Sequence, residues 1–439
     1  MEHQRNEGFG DLLAVALGTS VILWAVAYVG LSPAVNVPGA AMAAFALIGL
    51  VLAGVAIGRL TARGVNGGVK VGLLLGFINF LIVASLHGKE TTAEALRFGA
   101  KWVIAFTVIA VALATLGAWI GSRFPRTSTQ PIRWTSRLAT IVAITVLPLL
   151  VSGGIVTGLE AGLAVPDWLT TFDYPMMFYP MAEMQRVPGV YAEHFHRLWG
   201  LLVGLAVILL AVQLHRADSR AWLRWLSIAI ILAVIVQGVL GAGWVLSTQL
   251  RSLAIMHGVF GQLVFSVIVA VAAFSSATWL SSRPATQTIR ASTDRSAAIT
   301  LFVMLVLQLA LGALYRHLRR DAGDPGVGMH VLWTHIFLAT VILAVGIFAA
   351  GRAWGLHGDQ PVLPRLGKSI LHLMGVQILL GIAALFAVLH RGQSEAIPMV
   401  ELVFTTAHQA VGAILLAMAG LHVVWTRRLL SPPENAVQV

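Results

Sequence analysis

The chain predicts an all-α, polytopic membrane protein of about twelve transmembrane helices, and three observations carry that expectation. Of its 439 residues, 58% are hydrophobic and only 11% are charged. Mean hydropathy is +0.85. Apolar runs long enough to cross a hydrocarbon core, which takes about 20 residues as a helix, recur along the whole length. A soluble domain carries about twice that share of charge. Runs of this length also exclude a transmembrane barrel, whose strands alternate in polarity and are about half as long.

Each run lies between charged or Pro/Gly-containing breaks. The first, 12–31, follows a head that mixes Glu2, Arg5 and Glu7, and its span length marks a retained helix in place of a secretory signal. Runs 39–58, 69–87 and 98–121 complete a Gly/Ala-rich N-terminal set whose notable polar members are Asn79 and His87. They read as a packing or partner-docking bundle. A basic, Pro/Ser/Thr-containing stretch follows, then 137–157, 193–214, 222–246 and 253–280, then 296–315, 329–351, 366–390 and 399–426. The expected organisation is an N-terminal four-helix module (1–123), a linker (124–136) and two four-helix bundles (137–282 and 283–439). Removing the first four spans preserves topology, so the last eight are expected to stand without them.

Lys and Arg in short loops stay on the cytoplasmic side. Arg59, Arg63 and Lys70 fall on one side together with Arg123, Arg126, Arg133 and Arg137, and with Arg216, Arg220 and Arg224. The alternation adds Arg283, Arg290 and Arg295, then Arg352, Arg365 and Lys368, and finally Arg427 and Arg428. Both termini are therefore expected on the cytoplasmic or matrix side. One loop dissents: Arg316, Arg319 and Arg320 fall opposite, partly offset by Asp321 and Asp324. The formal charge of +11 is thus topology and lipid electrostatics, and no nucleic acid is expected as a partner. With no cysteine, disulfides, thiolate metal sites, iron–sulfur clusters and covalent c-type haem attachment are excluded.

The last eight spans carry an internal repeat. Gln237-Gly-Val-Leu-Gly241, Gln308-Leu-Ala-Leu-Gly312 and Gln377-Ile-Leu-Leu-Gly381 each set a Gln and a Gly on one helix face, and the next span returns with histidine near its start. Repeated units imply two pseudo-symmetric bundles. Small residues follow the histidines one turn later: His196 with Gly200 and Gly204, His257 with Gly261, His408 with Gly412. They serve helix packing or clear a face for a flat macrocycle. Ionisable groups in a span mark function by default, and histidines at matched depth on facing helices suggest paired haem ligands. The candidates are His196 and His257 in the first bundle, and His408 with either His330 or His335 in the second. Non-haem metal fits less well, because such sites need three or four ligands at one point.

In the tenth span the depth count from Arg352 leans to His330, which stands 22 residues away against 20 from His196 to Arg216 and 19 from His408 to Arg427. His335 has Ala339 one turn on, matching the small-residue pattern, but stands only 17 residues from Arg352. The five-residue offset turns the two to different faces, so both cannot serve one haem. Glu193 lies three residues before His196 on the same face. It is read either as a group that orients a ligand or moves a proton, or as a solvated helix cap. Arg197 either snorkels to headgroups or pairs with a haem propionate.

The segments Gly162-Leu-Ala-Val-Pro-Asp-Trp168, Glu193-His-Phe-His196-Arg197 and Leu253-Ala-Ile-Met-His257-Gly resemble the haem A synthase family of cytochrome oxidase assembly proteins, over roughly Arg137 to Arg428. The resemblance implies oxidation of the C8 methyl of haem O to the formyl of haem A. His196 and His257 would hold haem O or haem A as substrate and product, Glu193 would be the catalytic carboxylate, and a haem b in the second bundle would relay electrons. Lipid, a haem O-producing farnesyltransferase, terminal oxidase assembly factors, an unidentified electron donor and a homo-oligomer are the expected partners. The location implied is a bacterial cytoplasmic or mitochondrial inner membrane. Many members carry an outer-loop cysteine pair that this chain lacks, and the second bundle has no counterpart of the LAVPDW loop or of the His-Arg pair. The rivals are a di-haem b-type cytochrome, which has no need of Glu193, and a non-catalytic haem-handling protein. The loop from Leu159 to Ala192 holds Trp168, Phe172, Tyr174, Phe178, Tyr179 and Met181, which suit a membrane interface or a cap over a porphyrin.

Overall fold

In the computed structural model the described residues are 9–433, apart from 89–90, 126–131, 248–249, 283–285, 319–324, 361 and 392–396. Arg126, Arg283, Arg319, Arg320, Asp321 and Asp324, like the mixed head of Glu2, Arg5 and Glu7, lie outside them. Twelve helices are long and apolar enough to cross a membrane, and the chain is an all-α integral membrane protein. They are α1 (Gly10–Gly30), α2 (Gly39–Leu60), α3 (Gly64–Val83), α4 (Thr92–Ser122), α5 (Trp134–Gly158), α7 (Pro188–Ala217), α8 (Ala221–Leu246), α9 (Arg251–Ser275), α11 (Ala291–Leu318), α12 (Pro325–Leu356), α13 (Leu363–Arg391) and α14 (Met399–Leu429). One-turn helices α6 (Met181–Met184) and α10 (Ala277–Leu280) sit in connections. Two compact units divide at Ile235/Val236, inside α8. The first four helices therefore share a unit with α5 and α7.

In the first unit, α2 and α4 cross through reciprocal small-residue faces. A Cβ added at Gly54 or Gly58 would stand 2.1 or 2.2 Å from the carbonyl oxygen of Ala114 or Ala118. Gly117 and Gly121 meet Val51 and Val55 in the same way, at 2.1 and 2.4 Å. In lipid, where apolar burial gives helices little reason to associate, such backbone contact is what holds a pair. Asn79 ties α3 to α1: its Nδ2 donates to Ser20 Oγ at 2.9 Å, and its Oδ1 accepts from Trp24 Nε1 at 3.0 Å.

Helix α1 then forms a wall against α7. Trp24 meets the Trp199 ring edge-on at 5.6 Å, and both are 1% exposed. Tyr28 stacks on Tyr191 at 5.9 Å, and the Tyr191 hydroxyl donates to the Tyr28 carbonyl at 2.7 Å. The expectation that the last eight spans stand alone meets this packing directly. Deleting α1–α4 would open fully buried aromatic surface on the helix that carries His196, and removing one buried aromatic partner typically costs about 3–5 kcal/mol. The truncated protein is expected to lose much of its thermal stability in detergent and its haem content; unchanged values for both would show that the wall is dispensable.

In the second unit, α11–α14 pack around Leu301, Ile342, Met374, Leu415 and Trp425. Buried Asp294 in the first turn of α11 binds Arg352 at 2.7 Å and His357 at 3.0 Å, fastening it to the end of α12.

Candidate active site

Helix α7 begins at Pro188, five residues ahead of the apolar run, with proline at its first turn where a missing N–H costs nothing. Glu193 therefore lies within the helix and is 4% exposed, which removes the solvated-cap reading. Its Oε2 accepts from the Val165 N–H at 2.8 Å, and its Oε1 pairs with Arg197 Nη2. Arg197 also donates to the carbonyls of Asp167 at 2.5 Å and Val165 at 2.8 Å. Its side chain is 9% exposed, so it clamps the loop and does not snorkel. Within the loop the Asp167 carboxylate accepts from the backbone of Phe172 at 3.0 Å and Asp173 at 3.2 Å. Partial burial raises its proton affinity, but hydrogen bonds from Thr170, Phe172 and Asp173 outweigh that and hold it below the usual carboxylate range. A depressed carboxyl stabilises the fold above its unfolded value and loses that contribution in acid.

Of the loop aromatics, Tyr179 is buried and Phe172 is exposed. Tyr179 packs on Phe172 and Tyr174, both at 5.6 Å, and on His194 at 5.4 Å. Phe178 meets Phe80 at 5.8 Å. His194 is fully buried, with its Nδ1 3.0 Å from Thr171 Oγ1.

Four further histidines, His196, His257, His335 and His408, share a glycine seat. Each ring lies on a glycine of the preceding spanning helix: a Cβ at Gly153, Gly241, Gly312 or Gly381 would stand 3.0, 3.3, 3.1 or 2.9 Å from Cε1 of His196, His257, His335 or His408. His257 Nδ1 is 3.1 Å from the Gln237 carbonyl, and His408 Nδ1 is 3.2 Å from that of Gln377. A carbonyl only accepts, so Nδ1 carries the proton and Nε2 keeps its lone pair. At His196 the Ser152 hydroxyl stands 2.9 Å from Nδ1 and 2.9 Å from the Leu149 carbonyl, and the same tautomer follows when its proton goes to that carbonyl. This is the second-sphere bond that prepares an imidazole for a metal. The glutamines interlock in return: Gln237 and Gln308 donate to the carbonyls of His257 and His335 at 3.0 and 2.9 Å. Gly261 and Gly412 leave room for the Gln237 and Gln377 amides, so these small residues serve packing between Gln and His helices. Ser152 and Gly153 escaped the sequence reading because α5 carries the glycine seat without its glutamine.

His335 and His408 come together, ring centroids 6.4 Å apart at an interplanar angle of 72°. Two metal–imidazole bonds of about 2 Å, plus roughly 1 Å from each nitrogen to its ring centre, span about 6 Å. The donor set and spacing thus fit a bis-imidazole metal centre. His330 is exposed, and the structure brings His335, in its place, to His408. His196 and His257 belong to different compact units and are described on their own helices. Among the described residues no three His, Asp or Glu side chains converge on one metal position.

Fold and site together define a polytopic helical membrane protein with buried imidazoles seated on glycines of neighbouring helices. The chain belongs to the cytochrome oxidase assembly protein family, whose model matches residues 12–269 and again 136–322. The matched stretch begins in α1, well ahead of the Arg137 start that the motifs suggested. Among curated relatives, the Heme A synthase of Shouchella clausii is 30% identical over 134 residues, covering 30% of this chain and 43% of the relative. That of Cereibacter sphaeroides strain ATCC 17025 is 26% identical over 240 residues, covering 48% and 56%. The chain thus spans about half the length of the curated relatives it matches.

Proposed function

We propose that this protein is an oxidoreductase of the haem A synthase type, converting the C8 methyl of haem O to the formyl of haem A in support of terminal oxidase assembly. The observation that carries the reading is the coincidence on α7 of a buried carboxylate, Glu193, with an imidazole, His196, held at Nδ1 by Ser152 and seated on Gly153. The family and the names of the relatives support it. Methyl-to-formyl conversion is a four-electron oxidation whose oxidant must come from outside the chain, and Glu193 is the ionisable group on α7 placed to hold or pass a proton during it. Arg197 and the Val165 N–H orient that carboxylate, and the loop they hold excludes water from α7. By the resemblance, His196 and His257 hold the substrate.

His335, in place of His330, and His408 would hold a haem b, which supplies one-electron redox chemistry when bound. A membrane electron donor, the farnesyltransferase that makes haem O, oxidase assembly factors and a homo-oligomer complete the proposal. So does the cytoplasmic or matrix placement of both termini. The decisive experiment is extraction and mass analysis of haem from the purified protein. Haem A or a hydroxylated intermediate is expected, and haem b alone would refute the assignment.

A further inference from the structure

Helices α1–α4 carry no group that the proposed chemistry uses, yet the loop that binds Glu193 is seated on their ends. All of the contacts lie within the first compact unit, Met1–Ile235. Phe178, which closes the 3₁₀ turn Met176–Phe178, meets the Phe80 ring of α3 edge-on at 5.8 Å and 71°. The same ring lies against α4 at Gly99, where an added Cβ would stand 2.6 Å from it and 2.6 Å from the Ala84 carbonyl oxygen. Only glycine leaves that seat open. Two hydrogen bonds flank it: the Met181 N–H donates to the Ser85 carbonyl at 2.9 Å, and the Gln185 side-chain amide donates to the Leu31 carbonyl at 2.8 Å.

The first half of the same loop is fixed to α7. Thr170–Thr171 pairs antiparallel with Tyr174–Pro175, and Leu169, Phe172 and Asp173 stand at φ of +69°, +49° and +65°. Side chains resist that region, so the conformation persists only where its surroundings impose it. Asp167 does so from one side, through the N–H groups of Phe172 and Asp173 at 3.0 and 3.2 Å. Tyr179, next in sequence to the seated Phe178, does so from the other by packing on Phe172 and Tyr174, both at 5.6 Å. The contacts are continuous, from Gly99 and Phe80 to Phe178, from Tyr179 to the hairpin, and from Asp167 through Arg197 to Glu193.

We propose that α3 and α4 work as a positioning element for the reaction, with Phe178 as the anchor of the loop and Arg197 as the arm that aligns the Glu193 carboxylate. The inference rests on Glu193 acting in haem A formation, and the test reads anchoring and chemistry separately. Arg186, whose side chain is 70% exposed, supplies a trypsin site inside the loop, and cleavage there requires the loop to open. Full-length wild type, Phe178→Ala, Phe178→Leu and Phe80→Ala are compared in detergent for the fragment ending at Arg186, identified by mass, and in cells for haem A per extracted haem.

Phe178→Ala is expected to speed cleavage at Arg186 about tenfold and to lower haem A formation about tenfold, with haem content near wild type. Phe80→Ala empties the helix side of the contact and is expected to do the same, whereas Phe178→Leu keeps the apolar bulk and stays near wild type in both. Wild-type cleavage rates in the two alanine variants would show that α3 and α4 do not hold the loop. Faster cleavage with unchanged haem A, or haem lost in step with activity, would reduce the contact to packing. Normal haem A production by Glu193→Gln would remove the target of the positioning and overturn that role whatever the cleavage rates.

Discussion

Glu193→Gln is expected to leave haem content near wild type while cutting haem A formation by a factor on the order of 10²–10⁴, the usual worth of a positioned acid–base group. The substitution keeps the shape. Its amide oxygen still accepts from Val165, whose bond to the carboxylate is 2.8 Å, and Arg197 keeps its bonds to the carbonyls of Val165 and Asp167. What disappears is the charge paired with Arg197 and the capacity to take a proton. The measurement is haem A per extracted haem from cells expressing the variant, with the absorption spectrum reporting retention. Glu193→Asp, which restores a carboxylate on a shorter arm, is expected to recover part of the activity. Normal haem A production by Glu193→Gln would reduce Glu193 to a loop clamp, and haem loss in step with activity would point the same way.

The helices were legible because twelve apolar runs are hard to hide, and hydropathy alone located all twelve. Their ends were less so. Proline at a first helical turn extends α7 back to Pro188, and that shift moves Glu193 from the edge of the apolar run to an interior position. The Gln-Gly repeat was legible on three helices, and its purpose became clear only in three dimensions. Each glycine seats a neighbour's imidazole, and Gln237 and Gln377 fill the notches at Gly261 and Gly412. The N-terminal helices carry no ligand motif, so nothing in their sequence announced that Trp24 and Tyr28 build the wall behind α7. Side-chain partners from distant helices, such as Ser152 for His196, have no local signature at all.

His335→Ala is expected to abolish the low-spin haem of the second bundle, and His330→Ala to keep it. The sequence count favoured His330 because it took Arg352 as the membrane boundary. Arg352 is no boundary: it lies inside α12 and turns its guanidinium to buried Asp294 at 2.7 Å. Counted instead to the helix ends, His196 to Ala217, His335 to Leu356 and His408 to Leu429 are each 21 residues. Equal rise per residue then sets each imidazole at the same distance from its own helix end, and His330 would stand about 7 Å further from that end than His335. The glycine seat agrees, since Gly312 faces His335. So does the 6.4 Å approach of its ring to His408. Removing an axial imidazole leaves the iron without one of two strong ligands, so the expected readout is loss of one haem per chain in the pyridine haemochrome assay, with the first-bundle signal intact. Retention in His335→Ala with loss in His330→Ala would return the ligand to the exposed position and break the equal spacing of histidine and helix end.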